Sequence, residues 1–227
     1  MARKHLKRLV APSSWGLLRK EHTFITRPLP GGTPLEHSMP LSVLLKRLGL
    51  VTTTREAKKA LLHRSILLNG TACTEHKTSV GLMDTLTHGT HTFRLLLDAH
   101  GHLIPFPVPE HEAHTKPCKI IGKTMITMAK LQCHTLDGRN FLMDKNVVAV
   151  GDTVLISLPK QGVTAHHTLE TGAFIYLIGG KHRGDRGVVT SIKDDAIAYK
   201  NIHGQEYTTL KTYAFVLGKG KPAITLP

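Results

Sequence analysis

The chain has 227 residues, enough for one large domain or two to three small ones, with a formal net charge of +14. Its pI near 9.9 points to an anionic partner, and 5% aromatic content disfavours extended base-stacking surfaces. No apolar run reaches the roughly 18 residues of a membrane span, no apolar signal region follows the basic N-terminus, and Cys73, Cys118 and Cys133 are too few and too scattered for a disulfide framework. The cysteines read as reduced thiols and small core residues of a cytoplasmic protein.

Residues 1–40 carry Arg3, Lys4, Lys7, Arg8, Arg19, Lys20 and Arg27 against Glu21 and Glu36. Five prolines and Gly31-Gly32 stop a long helix, so this reads as an extended basic arm with Trp15 as its one large apolar anchor. Composition alone also permits a disordered tail. From Leu41 the pattern changes. Leu41, Leu44, Leu45 and Leu48 fall on one helical face that Gly49 ends. Thr53 with Glu56 fits a capping box and opens a second helix, with Ala57, Ala60 and Leu61 inward and Arg55, Lys58 and Lys59 on the other side. A short strand, Ser65 to Leu68, closes at Asn69-Gly70, a tight-turn signal. Asn69-Gly70-Thr71 matches a glycosylation acceptor only formally.

Residues 80–160 read as β. Thr92–Leu97 and His102–Val108 flank an Asp-Ala-His-Gly turn, followed by strands at Cys118–Met128, Leu131–Leu136, Asn140–Met143 and Asp152–Leu158. Such close spacing of turns suggests a barrel or sandwich-like middle domain. Further on, the apolar run Phe174–Ile178 enters a loop with Gly179, Gly180, Lys181, His182, Arg183, Gly184, Arg186 and Gly187, and a second apolar run, Gly187–Ile192, leaves it. Two short strands joined this way make a hairpin with a basic tip, and glycines permit close approach of backbone to a ligand. Strands at Ala196–Ile202, Glu206–Leu210 and Tyr213–Leu217 would complete a small SH3-like barrel. The chain ends in a basic, glycine-rich tail bearing Lys219 and Lys221.

Candidate chemistry elsewhere is weak. His111 and His114 are three apart, not the four of a zincin helix, and prolines at 109 and 117 discourage a helix there. His166-His167 and His100/His102 read as loop histidines. Gly122-Lys123-Thr124 would end a phosphate-binding loop only if glycine stood at position 117, where Pro117 supplies no N–H. Asp137 and Asp144 read as turn residues. No metal site and no cofactor is expected.

Several stretches carry a resemblance. The Leu-rich helix pair running into Ile66-Leu-Leu-Asn-Gly resembles the S-four-type RNA-binding domain, and Leu177 to Ile192 resembles a KOW motif. Together with Met-Ala-Arg-Lys-His-Leu-Lys-Arg, Ala11-Pro12, Trp15, Thr171-Gly172 and Gly218-Lys-Gly-Lys-Pro-Ala-Ile-Thr-Leu-Pro, they stand in the order of the small-subunit ribosomal protein S-four of eukaryotic and archaeal type. The resemblance spans essentially the whole chain. It implies an α+β, mostly β architecture: a basic arm (1–40), a small helical S-four-type domain (41–90), a β-rich middle domain (91–168), a KOW SH3-like barrel (169–217) and a basic tail (218–227). It implies a structural, non-enzymatic protein of the cytoplasmic ribosome. Its partners would be small-subunit ribosomal RNA and neighbouring small-subunit proteins, with no membrane and no small-molecule substrate. The residues placed against RNA are Arg3, Lys4, Lys7 and Arg8; Lys46, Arg47, Arg55, Lys58, Lys59 and Arg64; Gly180, Lys181, His182, Arg183, Gly184 and Arg186; and Lys219 and Lys221.

Departures from the family pattern are the missing charged extension past Leu226-Pro227, a shortened, His-rich middle, and His182-Arg183 where an amide or small residue is usual. The competing reading is an RNA-modifying enzyme of the pseudouridine synthase type, since S-four-type domains occur fused to such enzymes. The roughly 75-residue middle domain is short for one built around its own active site. A KOW transcription factor is weaker still, because the helix pair argues against it.

Overall fold

The computed structural model describes residues 5–126, 130–143 and 148–227. The chain divides into two compact units, residues 1–96 with 102–114, and residues 97–101 with 115–227.

In the first unit the arm is tied down. Strand β1 (Leu6–Lys7) pairs antiparallel with β2 (Phe24–Ile25). Trp15 is fully buried, and its indole N–H donates to the Ser38 carbonyl at 2.7 Å, so the anchor chosen from sequence fixes the arm onto β3 (Ser38–Pro40). Helix α1 (Leu41–Arg47) buries Leu41, Leu44 and Leu45; α2 (Thr54–Leu62) buries Ala57 and Leu61. The capping box forms in full: Glu56 N–H donates to Thr53 Oγ1, and the Glu56 carboxylate reaches back to the Thr53 N–H. Strand β4 (Ile66–Leu68) turns through Asn69-Gly70, both at positive φ, into β5 (Thr71–Ala72). β6 (Ser79–Gly81) pairs with β3, and β7 (Thr85–His88), β8 (His91–Leu97) and β9 (Leu103–Val108) complete a five-stranded sheet ordered β5-β4-β7-β8-β9.

In the second unit β10 (Thr115–Met125), β11 (Leu131–Thr135), β12 (Asn140–Met143), β13 (Thr153–Ser157) and β14 (Gly162–His167) form a sheet ordered β12-β11-β10-β13-β14. Cys118, Ile120, Cys133, Phe141, Val154 and Ile156 lie in its core. The last sheet contains β15 (Ala173–Leu177), β16 (Arg186–Lys193), β17 (Ala196–Asn201), β18 (Glu206–Leu210) and β19 (Ala214–Lys219), ordered β18-β17-β16-β15-β19. Ile175, Leu177, Val189, Ile197, Tyr199 and Val216 form its core.

Two readings change. His166 and His167 are not loop histidines: β14 pairs with β13, Thr153 opposite His167, and His166 Nε2 meets buried Asp152 at 2.9 Å. A half-exposed edge strand of mixed polarity gives little alternation to read. As the expected Cys118–Met128 strand implies, the Gly122-Lys123-Thr124 segment lies inside β10, with a register shift between Ile120 and Gly122 that marks a bulge. Cys73 is only half-buried, unlike Cys118 and Cys133. The last two residues of the expected strand Cys118–Met128, and Asp144, expected in a turn, lie outside the described residues.

Candidate nucleic-acid interface

Helix α2 presents the clearest cationic face. With Ala57 and Leu61 buried beneath it, the helical period leaves Arg55, Lys58 and Lys59 in solvent. Glu56, the carboxylate among them, is occupied by the cap. The Thr52 backbone N–H, then the hydroxyls of Thr52 and Thr53, hold its pKa at about 2, so it stays ionised and points at the helix start. Lys77, in the turn before β6, is exposed and acts on the same histidine as Lys58. Burial lowers the His76 pKa, Glu75 opposes that, and both Lys58 and Lys77 lower it further, placing the two lysines in one electrostatic neighbourhood. Sequence reasoning missed Lys77 because it stands in a loop remote from α2 along the chain.

Lys46 and Arg64 are exposed, and Arg64 takes positive φ just past the α2 C-terminus. Arg47 is engaged within the fold: its guanidinium donates to the Leu103 carbonyl, and a Cβ on Gly16 would come within 2.9 Å of Arg47 Nη2. In the arm Lys7 is exposed, while Arg8 pairs with Glu21 at 2.7 Å. Arg3 and Lys4 lie outside the described residues.

In the second unit the glycine-rich loop 179–185 is tightly built. Gly184 N–H donates to the Leu177 carbonyl at 2.8 Å, and Leu177 N–H to the Asp185 carbonyl at 2.9 Å. Gly184 has φ +89°, and a Cβ there would stand 1.9 Å from the Asp98 carbonyl oxygen, so only glycine fits. Arg183 lies against Gly101, whose added Cβ would come 2.7 Å from Arg183 Cδ. Lys181 and Gly180 are exposed at the tip; His182 and Arg186 are half-buried. Beneath the loop, Tyr176 is fully buried, its hydroxyl donating to the Leu97 carbonyl and accepting from the Leu97 N–H, both at 2.7 Å. Burial pushes that phenol above its ordinary range. In the tail Lys221 is exposed, and Lys219, also exposed, pairs with Glu170 at 2.9 Å.

Other charged groups are inside. Arg94 is fully buried and donates to Glu112 at 2.9 Å, which occupies the glutamate lying between His111 and His114. Lys116 meets Asp137 at 2.6 Å, with Arg139 on the same oxygen at 3.0 Å. Burial alone would raise the Asp137 pKa, but Lys116 and the hydroxyl of Thr135 bring it down to about 2. Lys119 donates to the carbonyls of Thr212 and Ala214 at 2.5 and 2.6 Å, and burial lowers its pKa to about 8. Among the described residues no group of three His, Cys, Asp or Glu stands close enough to hold a metal ion, and no helix is long and apolar enough to cross a membrane.

The chain matches three sequence families: the RS4NT domain over residues 2–34, the S4 domain over 39–86 and the Ribosomal family S4e over 90–163. It is 37% identical to the small ribosomal subunit protein eS4 of Methanocaldococcus jannaschii, over 99% of this chain and 98% of that one. The chain belongs to the S4e family. The eS4 protein of Methanococcus vannielii is 35% identical over the same shares. The crystal structure of the 30S ribosomal protein S4e from Thermoplasma acidophilum has the same fold, with a TM-score of 0.72 and 24% identity over 81% of this chain and 96% of that chain. Within this S4e chain, Lys46, Arg47, Arg55, Lys58, Lys59 and Arg64 all fall in the S4 domain. The arm cations, Arg3 to Arg8, fall in the RS4NT domain.

Proposed function

We propose that this chain is a structural constituent of the small ribosomal subunit, binding and stabilising its ribosomal RNA in support of translation. Family membership carries the ribosomal role, and the open cationic face of α2 carries the contact. Arg55, Lys58 and Lys59 cost the fold little to expose and meet phosphate as flexible charges, a sequence-independent attraction that counterion release strengthens. Shape and backbone, more than base sequence, are then what the helix pair reads. The enzyme alternative gains nothing from the relatives, which are named as ribosomal proteins.

At finer grain, the reading divides the chain into the arm (1–40), the S-four-type domain (41–90), the β-rich middle (91–168), a KOW SH3-like barrel (169–217) and the tail (218–227). The antiparallel β15–β19 sheet and its glycine-rich loop support the KOW assignment. Lys181 at the tip, Lys7 in the arm and Lys221 in the tail are further phosphate contacts, while Arg47 and Arg183 hold the fold around them. Neighbouring small-subunit proteins are expected as additional partners.

Co-sedimentation tests the role. The protein expressed in cells of its source should travel with small ribosomal subunits and stay there through a moderate salt wash. Recovery only among free proteins would overturn it.

A further inference from the structure

A row of aromatic rings runs from the core of the last sheet to the tip of the glycine-rich loop. Tyr199, with no exposed surface, donates its hydroxyl to Asp185 Oδ2 at 3.0 Å. Tyr207 faces it across the β17–β18 pair, ring centroids 6.0 Å apart and planes at 37°. The Tyr207 hydroxyl donates to Gln205 Oε1 at 2.5 Å. His182 lies on Tyr207, centroids 4.4 Å apart and planes at 34°. The row is held at the loop end as well. Asp185, which accepts from Tyr199, also donates its backbone N–H to the His182 carbonyl at 3.1 Å and accepts from the Arg186 N–H at 2.8 Å. One residue, Asp185, therefore links the buried ring through its carboxylate to the His182 peptide through its backbone N–H. The loop floor is fixed too: a Cβ on Gly179 would stand 2.4 Å from the Tyr213 ring.

We infer that His182, backed by Tyr207 and Tyr199, is a stacking platform for one unpaired nucleobase of the RNA, with Lys181 beside it for the adjoining phosphate. The inference rests on the RNA-binding role proposed above. A ring row fixed at both ends loses little freedom when a further flat ring is added, and base–aromatic stacking tolerates any base because each has a π-face. A continuous duplex keeps its base faces covered, so the platform selects loops, bulges and ends. His182 is half-buried, and its chain neighbour Lys181 is exposed, as is Gly180.

The test uses the full chain with a short unstructured RNA of mixed sequence and, separately, the blunt duplex of that sequence, each titrated at several salt concentrations. His182→Ala should weaken single-strand binding about ten-fold, the loss of one stacked base. It should leave duplex binding and the salt slope of both forms unchanged, and His182→Phe should bind single strands like the wild type. The inference fails if His182→Ala binds single strands as the wild type does. It also fails if both RNA forms weaken together with a shallower slope, which marks a phosphate contact by the imidazole, or if the Phe variant falls as far as the Ala variant. A wild-type protein that binds neither form in a salt-dependent way would instead overturn the RNA-binding role itself.

Discussion

Helix α2 exposes its cations, whereas Arg94, Lys116 and Lys119, in the segment from residue 90 to 163, are put to a different use. On α2, Arg55, Lys58 and Lys59 stand in solvent while the lone carboxylate among them, Glu56, serves the cap. In the later segment Arg94 is 0%, Lys116 2% and Lys119 4% exposed, each engaged by a carboxylate or by backbone carbonyls. A net charge of +14 therefore overstates what is offered to an anion. Exposed cations cost the fold little and are available to phosphate; buried ones are committed, because leaving the water shell is repaid only by close partners.

The comparison can be pressed hardest at Lys116. Lys116→Met removes the lysine from the buried Asp137 carboxylate, leaving it to Arg139 and the Thr135 hydroxyl, and should destabilise the fold by about 3 kcal/mol or more in urea unfolding. The salt dependence of RNA binding should stay as it was, and a large change in that slope would move Lys116 to the interface. The same variant has a pH signature. With its pKa depressed to about 2, Asp137 contributes stability that is present above its unfolded pKa near 4 and is lost as pH falls toward 2, so the wild type's advantage should shrink over that window.

Lys119 gives the next effect, with the same sign of pH slope but in an alkaline window. Its pKa is lowered to about 8, so between there and its ordinary value near 10.5 the unfolded chain holds a proton that the folded chain does not. Stability tied to this group should rise with pH across that window. The difference between wild type and Lys119→Gln, followed by urea unfolding across it, should grow; a flat difference would mean the amine keeps its proton in the fold. Smaller again is the cap: Thr53→Ala should cost about 1 kcal/mol, read as a lower Tm. The smallest stability change belongs to the exposed set, where Arg55→Ala, Lys58→Ala and Lys59→Ala together should stay within about 0.5 kcal/mol of the wild type per site.

What could be read from sequence was what is local. The leucine period of α1, the Thr53–Glu56 box and the Asn69-Gly70 turn are each specified within a few residues, and all three formed where their spacing puts them. Most strands were placed to within a few residues, since alternation and turn residues lie along the strand itself. The fate of individual cations was not legible. Arg47 meets a carbonyl 56 residues away, Lys116 an aspartate 21 away and Lys119 a carbonyl 95 away. Nothing near them in the chain separates a buried lysine from a solvated one. The ring row is a similar case. Tyr199, Tyr207 and His182 come together only through strand pairing and the folding-back of the loop, so the loop read as basic while its aromatic side stayed hidden.

The division of labour among the cations is tested most directly by the salt dependence of binding to small-subunit ribosomal RNA, measured for the wild type and for the Arg55→Ala, Lys58→Ala, Lys59→Ala variant. If these three side chains neutralise phosphates, the slope of log K against log salt should become shallower by about two to three. A variant that folds and keeps the wild-type slope would contradict the account.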